Sequence, residues 1–163
     1  MAGILLSLVL FLPTMDNTPN PRLDFFRSQI GQDMSGSISP LGRWLNGIIR
    51  VAAPGHLTAE DVVRDELTNP AGVLHGGAAS AILDDLIGAM VFTLGREYAF
   101  TSVNLTVDFL HAARTGDAIT ATAEVVRAGR NIIHCEGRIL ASDGRIIAKC
   151  ATNLIQTSVR LEM

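Results

Sequence analysis

The sequence predicts an α+β domain in which an antiparallel sheet of five or six strands wraps around one long central helix. Residues 76–94 repeat small and apolar side chains at helical spacing over most of the helix circumference, so this helix should be largely buried. Four strand-like segments with short turns follow it. The chain of 163 residues has the length of one domain and contains no internal repeat. A single helix buries its whole surface only if the sheet curls around it.

The composition is that of a globular protein, with 48% hydrophobic and 18% charged residues. The formal net charge of −3 and the absence of a run of Lys and Arg argue against general nucleic-acid binding. Aromatic residues make up 5% of the chain, too few for a base-stacking surface. An anionic ligand would therefore need a local site made by a few arginines or a helix N-terminus.

The first twelve residues are almost all apolar and end at Pro13. This run is too short to span a bilayer, so we expect no stable membrane insertion. It has the length of a signal-peptide core, but no Lys or Arg precedes it and no clear cleavage site follows. The alternatives are an apolar segment packed on the domain or on a partner chain, or an upstream start codon with Met15 as the true start.

The two cysteines, Cys135 and Cys150, have neither metal-ligand spacing nor a CxxC partner. Each lies inside a strand-like run, where we expect a small buried thiol. Unpaired buried thiols fit a reducing compartment, and we predict a cytoplasmic location.

The segments before the long helix are weakly patterned. We predict a turn at 16–21, a short amphipathic helix at 23–32, a loop at 31–40, a strand at 43–53 and a turn at Pro54-Gly55. Residues 59–67 alternate poorly and fit a strand or a helical turn, of which we favour the strand. Residues 1–40 then form an N-terminal extension, and residues 41–163 form the main domain.

Four strands are predicted after the long helix, for which Gly95 is a plausible C-cap. In the first strand the odd positions from 103 to 109 are apolar and the even positions are polar, which is typical of a half-buried strand. The predicted strands are 101–110, 118–127, 132–141 and 146–157, with turns at 128–131 and at Asp143-Gly144.

The entrance of the long helix, at Gly76 and Gly77, is the first candidate site. A helix N-terminus presents unpaired backbone N–H groups, and glycines let a ligand approach them closely. Such a place suits a phosphate or a developing oxyanion. Further along, Asp84 and Asp85 interrupt an apolar helix, and at least one of them should face a cleft or a partner because buried carboxylates are costly. Capping or ion pairing at an interface is the alternative for these two acids.

Helix geometry separates the two parts of this candidate site. Asp84 lies eight residues beyond Gly76, which is roughly 12 Å along a helix. The two groups can act on one carbonyl only if they come from different chains. Ser80, Asp84 and Gly88 lie four residues apart on one helical face and are small enough for a second helix to approach. A symmetric dimer with antiparallel helices is therefore predicted.

The pattern Asn69-x5-His75-Gly76-Gly77-x6-Asp84, followed by a long helix and a four-strand meander, resembles the hotdog-fold acyl-CoA thioesterases of the phenylacetate-pathway (PaaI-like) type. The resemblance covers about residues 45–156. It implies a hotdog fold and hydrolysis of acyl-CoA or aryl-CoA thioesters to a free acid and coenzyme A. It also implies no cofactor or metal, since coenzyme A is part of the substrate, and a homodimer that can assemble further into a homotetramer.

The resemblance assigns roles to six residues of this chain. It implies that the N–H of Gly76 or Gly77 polarises the thioester carbonyl and that Asp84 attacks directly or activates a water. The same resemblance gives Asn69, His75 and Ser102 the task of orienting the thioester or the water. It places Asn69, His75 and Gly76 on one subunit and Asp84 and Ser102 on the other. The second acid, Asp85, leaves open which of the two carboxylates acts.

Arginines are candidates for the phosphates of coenzyme A, because guanidinium groups bind phosphate in a bidentate manner. The candidates are Arg114, Arg127 and Arg130, which lie in or beside predicted turns, with Arg96 as a further possibility. Two other functions stay open beside thioester hydrolysis. One is a hotdog 3-hydroxyacyl-thioester dehydratase or hydratase, and the other is a non-catalytic acyl-CoA-binding module.

Overall fold

The computed structural model describes residues 19–161. The interpretations of residues 1–12 and of Met15 lie outside the described residues. The three α-helices are α1 (Pro21–Ser28), α2 (Pro40–Leu45) and α3 (Gly76–Phe92). The six strands are β1 (Ile48–Ala53), β2 (His56–Val62), β3 (Tyr98–Phe109), β4 (Ala118–Ala128), β5 (Ile132–Ala141) and β6 (Ile146–Arg160). None of the helices within residues 19–161 is long and apolar enough to cross a membrane.

The strands form one antiparallel sheet in the order β1-β2-β4-β5-β6-β3. Helix α3 lies on one face of this sheet and buries Leu83, Ile87 and Met90 completely. Ile133 and Ile139 of β5 are equally buried in the same core. The predicted α+β class and the single long helix packed on an antiparallel sheet are confirmed.

The prediction of a strand at 43–53 is wrong over its first residues. Residues 43–45 lie in α2, which begins with Pro40 after Ser39 has capped the helix by accepting a hydrogen bond from the Gly42 N–H. Asn46 then adopts a left-handed conformation, with φ of 56°, and ends the helix. Strand β1 therefore starts only at Ile48.

Other boundaries also differ from the sequence predictions. The strand predicted at 59–67 runs instead from His56 to Val62, and residues 65–67 form a 3₁₀ turn. The helix predicted at 23–32 starts earlier, at Pro21, because the Asn20 side chain caps it, and it ends at Ser28. The loop at 31–40 contains a short 3₁₀ turn at Met34–Gly36. Residues 19–45 pack against the fold, and a domain boundary at residue 40 stays a prediction.

Strand β3 contains a β-bulge that the sequence pattern does not reveal. Its register with β6 shifts between Ser102 and Asn104. Before the bulge the even residue Ser102 points toward α3, whereas after it the odd residues Leu105 and Val107 are the partly buried ones. Val103, predicted on the buried face, is 54% exposed. The expected alternation is therefore wrong for the first half of the strand and again at its last residue, Phe109, which is 57% exposed.

Cys135 and Cys150 lie on the neighbouring strands β5 and β6 and are buried, as predicted. Burial raises the pKa of Cys135 to about 12 and that of Cys150 to about 11. At neutral pH both side chains are thiols that pack as small apolar groups.

Candidate functional site

One side of α3 is left free by the sheet and carries small and polar residues. Gly77 and Gly88 are exposed, and a methyl group added at Gly88 would meet no atom within 4 Å. The Ser80 hydroxyl turns back and donates to the Gly76 carbonyl oxygen at 2.8 Å. Asp84 lies between these residues, partly exposed. This stripe is open to a ligand or to a second helix.

Asp84 is held by a residue from the neighbouring strand. The Ser102 hydroxyl donates to one carboxylate oxygen of Asp84 at 2.9 Å. The bulge in β3 is what directs Ser102 toward the helix at this point. The predicted pair of Asp84 and Ser102 is thus brought together, and the bond fixes the orientation of the carboxylate.

Asp85 has a different environment, although it is the next residue. One residue further along a helix is a rotation of about 100°, which turns Asp85 toward α2. There one carboxylate oxygen accepts a hydrogen bond from the Ser39 hydroxyl at 2.8 Å. Burial raises the pKa of Asp85, and the nearby charge of Asp84 raises it further. Asp85 lines an apolar cavity of about 50 Å³ between α2, α3 and the first strands.

The helix entrance is organised by His75, the N-cap of α3. Its side-chain Nδ1 accepts a hydrogen bond from the Gly77 N–H at 2.8 Å, and its backbone N–H donates to the Leu67 carbonyl oxygen. The Gly77 N–H is therefore already used, whereas the Gly76 N–H has no acceptor within residues 19–161. Of the two backbone donors that the sequence suggested, the Gly76 N–H is therefore the one that is free to bind a ligand.

Phe109, at the end of β3, is a neighbour of Gly76 that the sequence analysis missed. A Cβ atom at Gly76 would lie 3.1 Å from the Phe109 ring. The ring is 57% exposed, so it borders the helix entrance and remains open to a ligand. The alternating pattern of β3 had assigned Phe109 to the buried face instead.

Asn69 shapes the loop that leads to the helix. Its Oδ1 accepts hydrogen bonds from the N–H groups of Ala71 and Val73, at 2.9 and 3.4 Å. The side-chain oxygen is therefore occupied by the turn. Its amide NH₂ donates to no residue in the described part of the chain, and is the end that could contact a substrate.

The six predicted site residues form two separate groups within one chain. Asn69, His75 and the two glycines surround the helix entrance, next to Phe109. Asp84 lies two helical turns away and contacts Ser102, seven residues before Phe109 on β3. One chain does not bring the Gly76 amide and the Asp84 carboxylate together.

The predicted phosphate-binding arginines are also divided between the two ends of α3. Arg114 is exposed and its backbone bridges to Val73, beside the helix entrance. Arg127 and Arg130 are exposed at the β4–β5 hairpin. That hairpin lies near the other end of the helix, since the Arg96 guanidinium reaches the Gly129 carbonyl oxygen at 3.4 Å.

The groups available for ligand binding in this region are hydrogen-bond donors. Within residues 19–161 no group of three His, Cys, Asp or Glu side chains is placed to hold a metal ion. The open Gly76 amide and the exposed guanidinium groups are donors suited to a carbonyl oxygen or a phosphate.

Comparison with known proteins gives a family match over this region. The family model described as "Thioesterase superfamily" matches residues 71–148, which include α3 and most of the following strands. Acyl-coenzyme A thioesterase 13 of Homo sapiens is 31% identical over 81 residues, covering 50% of this chain and 58% of the relative. The matched part of the chain therefore spans less than two thirds of the length of these curated relatives.

Solved structures with the same fold extend the comparison. A phenylacetic acid degradation-related protein of Ralstonia eutropha is 27% identical, with a TM-score of 0.66 and coverage of 75% of this chain and 96% of that one. A hypothetical thioesterase protein from Streptococcus pneumoniae, solved with coenzyme A, is 24% identical, with a TM-score of 0.66 and coverage of 71% and 92%. The hotdog fold and the resemblance to PaaI-like thioesterases are confirmed.

Proposed function

Since the chain is a hotdog-fold relative of the thioesterase superfamily, we propose that it hydrolyses acyl-CoA or aryl-CoA thioesters to a free acid and coenzyme A. The observation that carries this proposal is the Asp84 carboxylate on the open side of α3, oriented by Ser102. Asp85, one residue further along the helix, faces α2 instead and accepts a hydrogen bond from Ser39 there.

In the proposed reaction the Gly76 N–H donates to the thioester carbonyl oxygen and stabilises the negative charge that develops on it. Asp84 accepts a proton from a water molecule that attacks the carbonyl carbon. The carbon–sulfur bond then breaks, and the proton passes to the leaving thiolate of coenzyme A. Direct attack by Asp84, with an anhydride that water then hydrolyses, uses the same geometry.

The active unit is a dimer in this proposal, because the two groups of residues lie apart in one chain. Strand β3 is one edge of the sheet formed by residues 19–161, and its twelve residues pair only with β6 there. An exposed edge of this length favours pairing with another strand. If two β3 edges pair about a two-fold axis, the two α3 helices lie antiparallel on one face. The entrance of each helix then comes near Asp84 of the other.

The same dimer offers a place for the nucleotide end of coenzyme A. Arg114 lies at the entrance end of α3, and Arg127 and Arg130 lie toward the opposite end. Antiparallel helices bring opposite ends of the two chains together, so arginines from both chains can flank one site. The coenzyme A in the Streptococcus pneumoniae structure supports a binding site for this ligand in the fold.

The test is release of free thiol from a panel of acyl-CoA and aryl-CoA thioesters by the purified protein. We expect Asp84→Asn to lower kcat by roughly 100-fold or more, as for loss of a general base or nucleophile. Asp85→Asn is the matched control, because it makes the same change one residue away on the side that faces α2. It should keep most of the activity.

Full activity of Asp84→Asn, or loss of activity only in Asp85→Asn, would overturn the assignment of the carboxylate. Formation of enoyl-thioester absorbance without thiol release would favour a dehydratase. Binding of coenzyme A thioesters with no turnover of any of them would favour a binding module.

A further inference from the structure

A second cavity lies at the C-terminal end of α3. Its volume is about 100 Å³, and Arg22, Gly88, Phe92, Arg96 and Tyr98 are among the residues that line it. Gly88 belongs to the same open stripe of the helix as Asp84. Four residues separate them, which is roughly 6 Å along the helix axis. The cavity is therefore one helical turn away from the proposed catalytic carboxylate.

Arg22 is a buried cation in the wall of this cavity. Its exposure is only 6%, and its guanidinium lies over the Phe92 ring, 4.8 Å from the ring centroid. It donates to the carbonyl oxygens of Arg96 and Leu161, at 2.7 and 3.1 Å. Within residues 19–161 the buried Nε has no acceptor, and no Asp or Glu of that part forms an ion pair with Arg22. The guanidinium group is a planar cation with five N–H donors.

An isolated buried charge is costly unless an opposite charge compensates it. The two carbonyl oxygens accept from two of the five guanidinium N–H groups. The other three donate to no residue within 19–161. Arg96 lines the same cavity, and among the described residues its guanidinium makes one hydrogen bond, to the Gly129 carbonyl oxygen, which is long at 3.4 Å. Two arginines and the aromatic residues Phe92, Tyr98 and Phe100 therefore line one small space.

We propose that this cavity binds a carboxylate at the far end of the acyl group, so that the preferred substrates are acyl-CoA thioesters with a terminal carboxyl group. The inference rests on the proposed function, in which Asp84 acts on the thioester carbonyl. An acyl chain that extends from that carbonyl along the open stripe of α3 passes Gly88, which has no side chain to block it. Its end then meets Arg22 and Arg96.

The position of the cavity favours the acyl end of the substrate over the phosphates of coenzyme A. The long pantetheine arm separates the diphosphate from the thioester, whereas the cavity is only one helical turn from Asp84. The burial of Arg22 also suits a planar carboxylate, which a guanidinium binds with two parallel hydrogen bonds. The exposed arginines at 114, 127 and 130 are better placed for phosphates.

The inference can be tested by calorimetric binding of two stable thioethers of coenzyme A to the full-length protein. S-(4-carboxybutyl)-CoA carries the terminal carboxylate, and S-pentyl-CoA has the same chain length without it. We expect the carboxylated analogue to bind about tenfold more tightly or better, the gain of a hydrogen bond to a charged group. This measurement needs no turnover, so its result is independent of whether Asp84 hydrolyses the thioester.

Substitutions of Arg22 and Arg96 test whether the tighter binding of the carboxylated analogue depends on this cavity. Arg22→Met keeps the apolar stem and should bring the two affinities together, while Arg22→Lys should keep part of the preference because it keeps the charge. Arg27→Met is the control on the same helix, since Arg27 is exposed and pairs with Asp24. Because Arg22 also ties α1 to residues 96 and 161, Arg96→Gln is a second variant, and it should weaken only the carboxylated analogue.

Equal affinities of the two analogues for the wild-type protein would overturn the inference. A preference that survives both Arg22→Met and Arg96→Gln would also overturn it. If a carboxylate of the chain itself compensated Arg22, neither variant would change the ratio of the two affinities, and the inference would be wrong. Preferred binding of the carboxylated analogue without thiol release from any thioester would leave the cavity assigned and refute the hydrolase.

Discussion

Asp84 and Asp85 are neighbours in the sequence, yet they face different parts of the molecule. Asp84 contacts Ser102 on the open side of α3, and Asp85 contacts Ser39 beside α2. The sequence predicted that at least one of these acids leaves the core, because two carboxylates interrupt an apolar helix. It could not choose between them, since Ser39 lies 46 residues away and carries no pattern that links it to the helix.

The environment of Asp85 makes a prediction for stability. Its pKa in the folded protein is raised above the ordinary value of 3.8, mainly by burial. The folded state therefore holds the proton more tightly than the unfolded state, and the free energy of unfolding falls as pH rises from 3.8 through the folded pKa. Asparagine has no charge to bury and can still accept a hydrogen bond from Ser39. We expect Asp85→Asn to be more stable than the wild type at pH 7.

The measurement is urea unfolding of wild type and Asp85→Asn at several pH values. The difference in midpoint should be largest near neutral pH and should shrink below pH 3.8, where the carboxyl group is protonated in both states. Comparison of the two proteins at each pH cancels the contributions of titrating groups that do not interact with Asp85. A difference that does not change with pH would show that the charge of Asp85 is not the cause.

At the scale of the elements, the entrance of α3 allows a test of one backbone donor. Gly76 is the first residue of the helix, where the N–H has no helical acceptor and proline is well tolerated. His75, with φ of −67° and ψ of 136°, already has the conformation that a following proline requires. Gly76→Pro should therefore remove the candidate N–H and keep the helix. We expect kcat to fall by roughly 100-fold or more, as for loss of one oxyanion donor.

Gly76→Ala is the matched control for this change. Both variants add a Cβ atom that approaches the Phe109 ring, but only proline removes the N–H. Thiol release and thermal unfolding are measured for both proteins. Similar activity of the two variants, with similar stability, would rule out the Gly76 N–H as the group that polarises the carbonyl.

The elements predicted best are those whose pattern comes from the chain itself. Helix α3 begins at the predicted residue and ends two residues early, and its apolar spacing reflects the face that packs on the sheet, where Ile82, Leu83, Leu86 and Ile87 are buried. The start of β1 was wrong because the apolar residues Trp44 and Leu45 belong to α2, which Ser39 caps.

The bulge in β3 depends on contacts that no local pattern records. Thr152 and Asn153 of β6 both bind Asn104, through its carbonyl oxygen and its side-chain oxygen. The alternation of apolar and polar residues in the sequence continues without a break through the bulge. The exchange of faces between Ser102 and Leu105 therefore became visible only with the strands paired.

At the scale of the whole molecule, the candidate site was predicted as two separate groups of residues, and the two groups are also apart in the folded chain. The sequence placed Gly76 and Asp84 roughly 12 Å apart by helix geometry alone. In the folded chain each half has its own neighbour on β3, Phe109 for Gly76 and Ser102 for Asp84. The buried Arg22 was not predicted, because a single arginine in a weakly patterned segment gives no sign of burial.

The proposed dimer predicts that two inactive variants restore activity when mixed. A mixed dimer of Gly76→Pro and Asp84→Asn chains has one site with both defects and one site with none. Random exchange gives half mixed dimers, so the mixture should recover about one quarter of the wild-type activity. The variants are unfolded and refolded together, and thiol release is compared with that of the same proteins refolded separately.

No recovery in mixtures that are shown to contain mixed dimers would indicate that each chain holds a complete site. Recovery without joint refolding would indicate that the chains exchange under native conditions. Each variant refolded alone at the same total concentration is the control for protein concentration.

The bulge at Val103 has a consequence for how β3 can vary between related proteins. It divides one strand into a segment that meets the open side of α3 through Ser102 and a segment that packs in the core through Leu105 and Val107. Substitutions in the first segment can alter the proposed substrate pocket while the second keeps the sheet in place. Selection for a new acyl group and selection for a folded domain can thus act on the same strand without conflict.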